Sequence, residues 1–139
     1  MKILELLKRI WITGADVKLN GEDVDLVDYE NTPQEIVDIA INHVEEIQNY
    51  LKSWESESKV NLTIRKVFHH FCGWQHNEGL EKWLLSEHDS LMKFHDWTVV
   101  LAKNGWIDIY DDYRPYQTDE SNKLANELYE RAVEFSKKH

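Results

Sequence analysis

The chain contains one cysteine, Cys72, so no disulfide can form within it. That usage fits a reducing compartment. Two prolines and five glycines punctuate 139 residues, with no internal repeat and no low-complexity tract. No run approaches the roughly 18 apolar residues that a membrane helix needs. The opening MKILELLKRIW lacks the apolar core of a signal peptide. A cytoplasmic location is therefore expected, and the sequon at Asn61 is then accidental. Basic residues are scarce: 16 Lys and Arg stand against 26 Asp and Glu, a net charge of -10. This argues against direct nucleic-acid binding, which needs cations to replace counterions on phosphate, and against docking to an anionic membrane. A phosphate-binding P-loop, a dinucleotide fingerprint and a Gly-x-Ser-x-Gly elbow are all missing.

Apolar material is sufficient for a core. The hydrophobic fraction is 42%, with six Trp, six Tyr and four Phe, despite a mean hydropathy of -0.61. The length suits one domain or two very small ones.

Along the chain, Ile3, Leu6, Leu7 and Ile10 recur at helical spacing and predict a helix over 2–12, stopped by Thr13-Gly14. In ADVKLNGEDVDLVDYE, Val17 and Leu19 alternate with polar residues, as do Val24 and Leu26. Asn20-Gly21 between the two runs predicts a hairpin with a type I′ turn. Thr32-Pro33-Gln34-Glu35 reads as a capping box that opens a helix to about residue 53. Residues 53–59 read as a linker or a continuation of that helix. Further helices are expected over 62–72, 78–87 and 89–103, with breaks at Gly73 and Asn104-Gly105. The alternating WIDIY (106–110) reads as a short strand and 111–117 as a loop. Thr118 caps a last helix to about residue 137. The fold expected is α+β and mostly helical. An αββα module with a two-stranded antiparallel hairpin spans 1–52, and an aromatic-rich helical region spans 53–139.

The Leu-rich first helix, Gly14, the Asn20-Gly21 turn and Thr32-Pro33-Gln34-Glu35 together give residues 2–52 a recognisable order. This part resembles the N-terminal docking domain of the tubulysin-synthetase type, an αββαα module that opens certain nonribosomal peptide synthetase subunits. The resemblance implies that a partner's extended tail adds beside the second strand, roughly Glu22–Asp28, while charged side chains select the tail. That family often uses basic residues to receive acidic tails. Here the hairpin is acidic, with Asp16, Glu22, Asp23, Asp25, Asp28 and Glu30 against Lys18, so the partner should be basic. No synthetase domain follows in this sequence. A general interaction module is expected instead, as in short accessory proteins of phages and mobile elements.

For chemistry, FHHFCGWQH offers His69, His70, Cys72 and His76. On one continuous helix, His69, Cys72 and His76 would share a face and could bind zinc. Gly73 interrupts that helix, the spacing matches no standard finger, and Cys72 is expected as a small apolar residue with no metal or other cofactor bound. Neither Cys72 as a nucleophile nor Asp111-Asp112 as acid–base groups has the supporting residues that catalysis requires. No enzymatic activity is expected. In the loop 106–120, Trp106, Tyr110, Tyr113 and Tyr116 cluster with Asp111, Asp112 and Arg114, residue types enriched at binding hot spots. The competing reading places Trp106, Ile107, Ile109 and Tyr110 in the core.

The largest anomaly is electrostatic. Between Leu19 and Leu51 stand nine carboxylates and not one Lys or Arg. Separated surface charges repel weakly at physiological salt, so a solvated acidic face is tolerable without a function. The functional reading is a non-enzymatic docking face for a basic peptide or protein, with no direct nucleic-acid contact and no membrane contact. The alternative is an acidic mimic of nucleic acid that inhibits a DNA- or RNA-binding protein. A homodimer is also expected, because two strands with one small face seldom stand alone.

Overall fold

A computed structural model describes all residues from Met1 to His139. The protein is a mostly helical α+β chain with seven α-helices and one two-stranded hairpin. It divides into two units, Met1–Glu57 and Ser58–His139. No helix is long and apolar enough to cross a membrane.

In the first unit, α1 (Ile3–Trp11) buries Leu4, Leu6, Leu7, Ile10 and Trp11. The Thr13 hydroxyl donates to the Ile10 carbonyl, and Gly14 turns the chain at φ 91°. Strands β1 (Asp16–Asn20) and β2 (Asp23–Val27) then pair antiparallel, with Val17 opposite Leu26 and Leu19 opposite Val24. These four apolar residues share the inner face, which packs against α1 and against α3 (Val44–Glu55). Helices of its own unit thus cover this inner face.

Three local expectations for this unit are corrected. Asn20 is the last residue of β1 rather than a turn centre, and the turn centres are Gly21 and Glu22. Only Gly21, at φ 62°, has a positive φ there, the pattern of a type II′ turn and not type I′. The capping box does not form. Helix α2 (Gln34–Asn42) has Pro33 at its cap with no side-chain bond. Thr32 is buried, and its hydroxyl lies 2.7 Å from that of Thr13. Thr13 spends its proton on Ile10, so Thr32 is the donor between them. The helix expected to run unbroken to residue 53 is interrupted at His43. The imidazole Nδ1 donates to the Ile39 carbonyl at 2.8 Å, and the His43 backbone N–H falls back to Ala40. α3 restarts at Val44 and continues through Ser53 and Trp54 to Glu55.

In the second unit, α4 (Lys59–Phe71) is capped by the Ser58 side chain and ends where Gly73 adopts φ 75°. α5 (Glu78–Ser86) is capped by Asn77, and α6 (His88–Lys103) stops at Asn104-Gly105. A 3-10 turn spans Arg114–Tyr116, and α7 (Asp119–Lys138) opens with Thr118 and Ser121 capping each other. α7 packs on α4, α5 and α6. The core is aromatic: Phe68, Trp74, Trp83, Phe94, Trp97, Trp106 and Tyr113 are buried. Edge-on contacts join Phe68 to Trp74 (5.2 Å) and Trp97 to Tyr113 (5.1 Å), a geometry that suits ring quadrupoles.

Residues 106–110 form no strand. The Asp108 carboxylate accepts the Tyr110 N–H at 2.9 Å and bends the chain into a turn. No second strand lies in this unit to pair with it. Ile107 is consequently 89% exposed rather than in the core.

Charge is divided unevenly between the units. Residues 1–57 hold thirteen acidic and five basic side chains, a net of -8, whereas residues 58–139 hold thirteen and eleven, a net of -2.

Candidate docking surface

The hairpin presents its two edges differently. Asp16 lies at the start of β1, where its carboxylate accepts the Trp11 indole N–H at 2.9 Å and the Val17 backbone N–H at 2.8 Å. That N–H points away from β2 and would otherwise be free for another strand. Asp16 therefore occupies one of the two outward N–H groups of β1 and leaves that of Leu19 open.

β2 has no such obstruction. The two-residue turn makes Asn20 and Asp23 the first hydrogen-bonded pair, so the backbone groups of Val24 and Leu26 point outward. No third strand takes them. Val24, Leu26 and Val27 are only half-buried. Asp28, at φ 54°, ends the strand in the left-handed region, which Asp tolerates better than most residues.

The acidic side chains fall into two groups. Glu22 is held by Lys52, at 2.7 Å, and its backbone carbonyl is held by Gln48. Asp23, Asp25, Asp28 and Glu30 are exposed and close no ion pair. Asp23 and Asp25 share the outer face of β2, roughly 7 Å apart along a strand that rises about 3.4 Å per residue. Lys18 stands opposite Asp25 across the ladder.

The aromatic loop of the second unit is organised inward. Trp106 is buried and donates its indole N–H to the Asp111 carbonyl at 3.0 Å. Tyr113 is buried and donates to the Asn61 carbonyl at 3.2 Å. Tyr110 stacks on Trp74 with centroids 5.8 Å apart, and Tyr116 is half-buried beside Gly105. Asp112 accepts a forked pair of bonds from Arg114. Asp111 and Asp112 therefore stand beside groups that serve the loop itself.

In the histidine–cysteine stretch the His70 and His76 rings come together, with centroids 5.3 Å apart. His69 is buried on α4, and its Nδ1 donates to the Gln75 side chain at 2.8 Å. Burial holds its imidazole down to about 4. His70 Nδ1 accepts the Asn77 backbone N–H, and His76 pairs with Glu81 at 3.4 Å. Burial pushes the Cys72 thiol up, which disfavours the thiolate. No three His, Cys, Asp or Glu side chains group as metal ligands would.

Sequence reasoning placed the acids of β2 but missed Gln48 and Lys52, which withdraw Glu22 from the open set. A Lys one helical turn beyond a Gln on the facing helix was the available signal. Comparison with protein-family models, with curated proteins and with solved structures finds no match.

Proposed function

We propose that the first unit is a binding module that receives an extended basic segment of a partner protein as a third strand along β2. The observation that supports this most is the asymmetry of the hairpin. Asp16 occupies the Val17 N–H on the β1 edge, whereas the β2 edge is unobstructed at both Val24 and Leu26 and is flanked by the unpaired carboxylates of Asp23, Asp25 and Asp28. Main-chain bonds to Val24 and Leu26 supply affinity, and the carboxylates select charge. An added strand repeats its side chains at the same interval as Asp23 and Asp25. A segment with Lys or Arg at alternate positions and β-branched residues between them is the best complement.

The test is fluorescence anisotropy with a labelled peptide alternating Lys with Val or Thr, titrated with the whole chain. Binding should weaken as salt rises, because exposed charges are screened. Methylating alternate backbone nitrogens of the peptide should abolish it. Peptide binding that tolerates both the methylation and the triple change Asp23→Asn, Asp25→Asn, Asp28→Asn would end this reading.

A further inference from the structure

A cavity of about 810 Å³ opens in the second unit among α4, the start of α5 and the last turns of α7. Its floor is apolar, formed by Leu80, Trp83, Tyr129 and Val133, of which Trp83 is fully buried. Its rim carries Lys66, Lys82 and Lys137. None of the three makes an ion pair, whereas Lys52 and Lys93 elsewhere each close on a glutamate. Glu78 is the one carboxylate side chain on the lining.

This arrangement runs against the chain's overall charge. Acidic residues outnumber basic ones 26 to 16, yet three unpaired cations converge on one cavity. The first turn of α5 adds donors. The Asn77 side chain takes the Leu80 N–H and the Asn77 carbonyl takes the Glu81 N–H, which leaves the amides of Glu78 and Gly79 without protein partners. Gly79 contributes no side chain to cover them.

We infer that this cavity binds a small amphipathic anion, a molecule with an apolar ring or short acyl body and a carboxylate, sulfonate or phosphate group. The floor takes the body and the lysines take the charge. The volume lies within the range of ligand sites, roughly 300–1,000 Å³, and an apolar lining with a few converging polar groups is their usual character. The lysines and the floor define the site, with the helix-end amides as supplementary donors.

The probe is 1-anilinonaphthalene-8-sulfonate, compared with N-phenyl-1-naphthylamine, which has the same rings and no charge. Both are titrated by their emission against the whole chain. The sulfonate should bind about tenfold tighter, a margin that three exposed ionic contacts can supply. The triple variant Lys66→Gln, Lys82→Gln, Lys137→Gln should remove that margin and leave the uncharged probe within about twofold. All three lysines are exposed, so the variant should fold, and circular dichroism checks it. Equal affinity for the two probes, no binding of either, or a margin that survives the triple variant overturns the proposal. Loss of sulfonate binding in Phe71→Ala, Met92→Ala with retention in the lysine variant would also overturn it. That result would place the probe in the separate apolar groove lined by Phe71, Met92 and Ile109.

Discussion

Residues 1–57 and 58–139 bury their cores with different materials. The first unit encloses mainly aliphatic side chains, Leu4, Leu6, Leu7, Ile10, Val17 and Ile47, with Trp11 and Trp54. The second encloses a network of rings centred on Phe68, Trp97, Trp106 and Tyr113. The charge is divided the other way, because the smaller unit carries -8 and the larger -2. A solubility device would be spread over the whole surface. Concentration of the net charge in one unit, around a hairpin whose β2 edge is unobstructed, is what a selective surface would require.

The comparison is broken most forcefully in the second core. Trp97 is completely buried, and Trp97→Ala should cost about 3–5 kcal/mol in urea unfolding, because the cavity it leaves has rigid neighbours. A loss under about 1 kcal/mol would mean the ring network carries little of that unit's stability.

The same unit should respond to mild acid. His69 is held at about 4 in the folded state, below its unfolded value near 6.5. The folded state therefore binds fewer protons, and stability falls as pH drops from about 6.5 towards about 4. At about pH 5 the loss should be on the order of 2 kcal/mol relative to about pH 7. His69→Gln should flatten that slope, whatever it does to stability at neutral pH. An unchanged slope in the variant would assign the acid response to other groups.

In the first unit the largest expected effect is on binding. Asp23→Asn, Asp25→Asn, Asp28→Asn should weaken the basic peptide by about tenfold at low salt and by less as salt rises. Folding should hardly change, since these side chains are exposed and unpaired. Asp16→Ala is the informative control, since Asn would keep the Oδ1 acceptor. Asp16 serves the fold by bonding Trp11 and Val17, so its change should reduce stability more than affinity.

The smallest effects separate two readings of one motif. Thr32→Val removes the bond to Thr13 and should cost about 0.5–1.5 kcal/mol. Glu35→Ala should stay within about 0.5 kcal/mol, because no capping box exists for it to complete. Equal costs for the two would restore the capping box.

Much of this architecture was legible in residue order. Helical spacing located α1, α4, α5, α6 and α7, and alternation around Gly21 located the hairpin with its acids outward. Those signals are local: apolar periodicity marks the buried face, and glycine marks the positive φ that ends a helix. Legibility failed where a local motif had a distant competitor. Thr32 resembled a cap, but its hydroxyl bonds that of Thr13 instead of a helix amide. WIDIY alternated like a strand, but nothing was positioned to pair with it. His43 sat within an apolar helical stripe and used its ring to take the carbonyl that would have continued the helix.

The sequence alone determined the class of fold, the identity of the core-forming residues at helical spacing and the sign of the charge on the hairpin. These depend on composition and on neighbours within a turn or two. Only the tertiary structure decided which charges remain free and which are consumed. Glu22 is taken by Gln48 and Lys52 across 26 and 30 residues, and Lys66, Lys82 and Lys137 meet at one cavity from three helices. Such pairings depend on where distant backbones come to rest, and no periodicity along the chain records that.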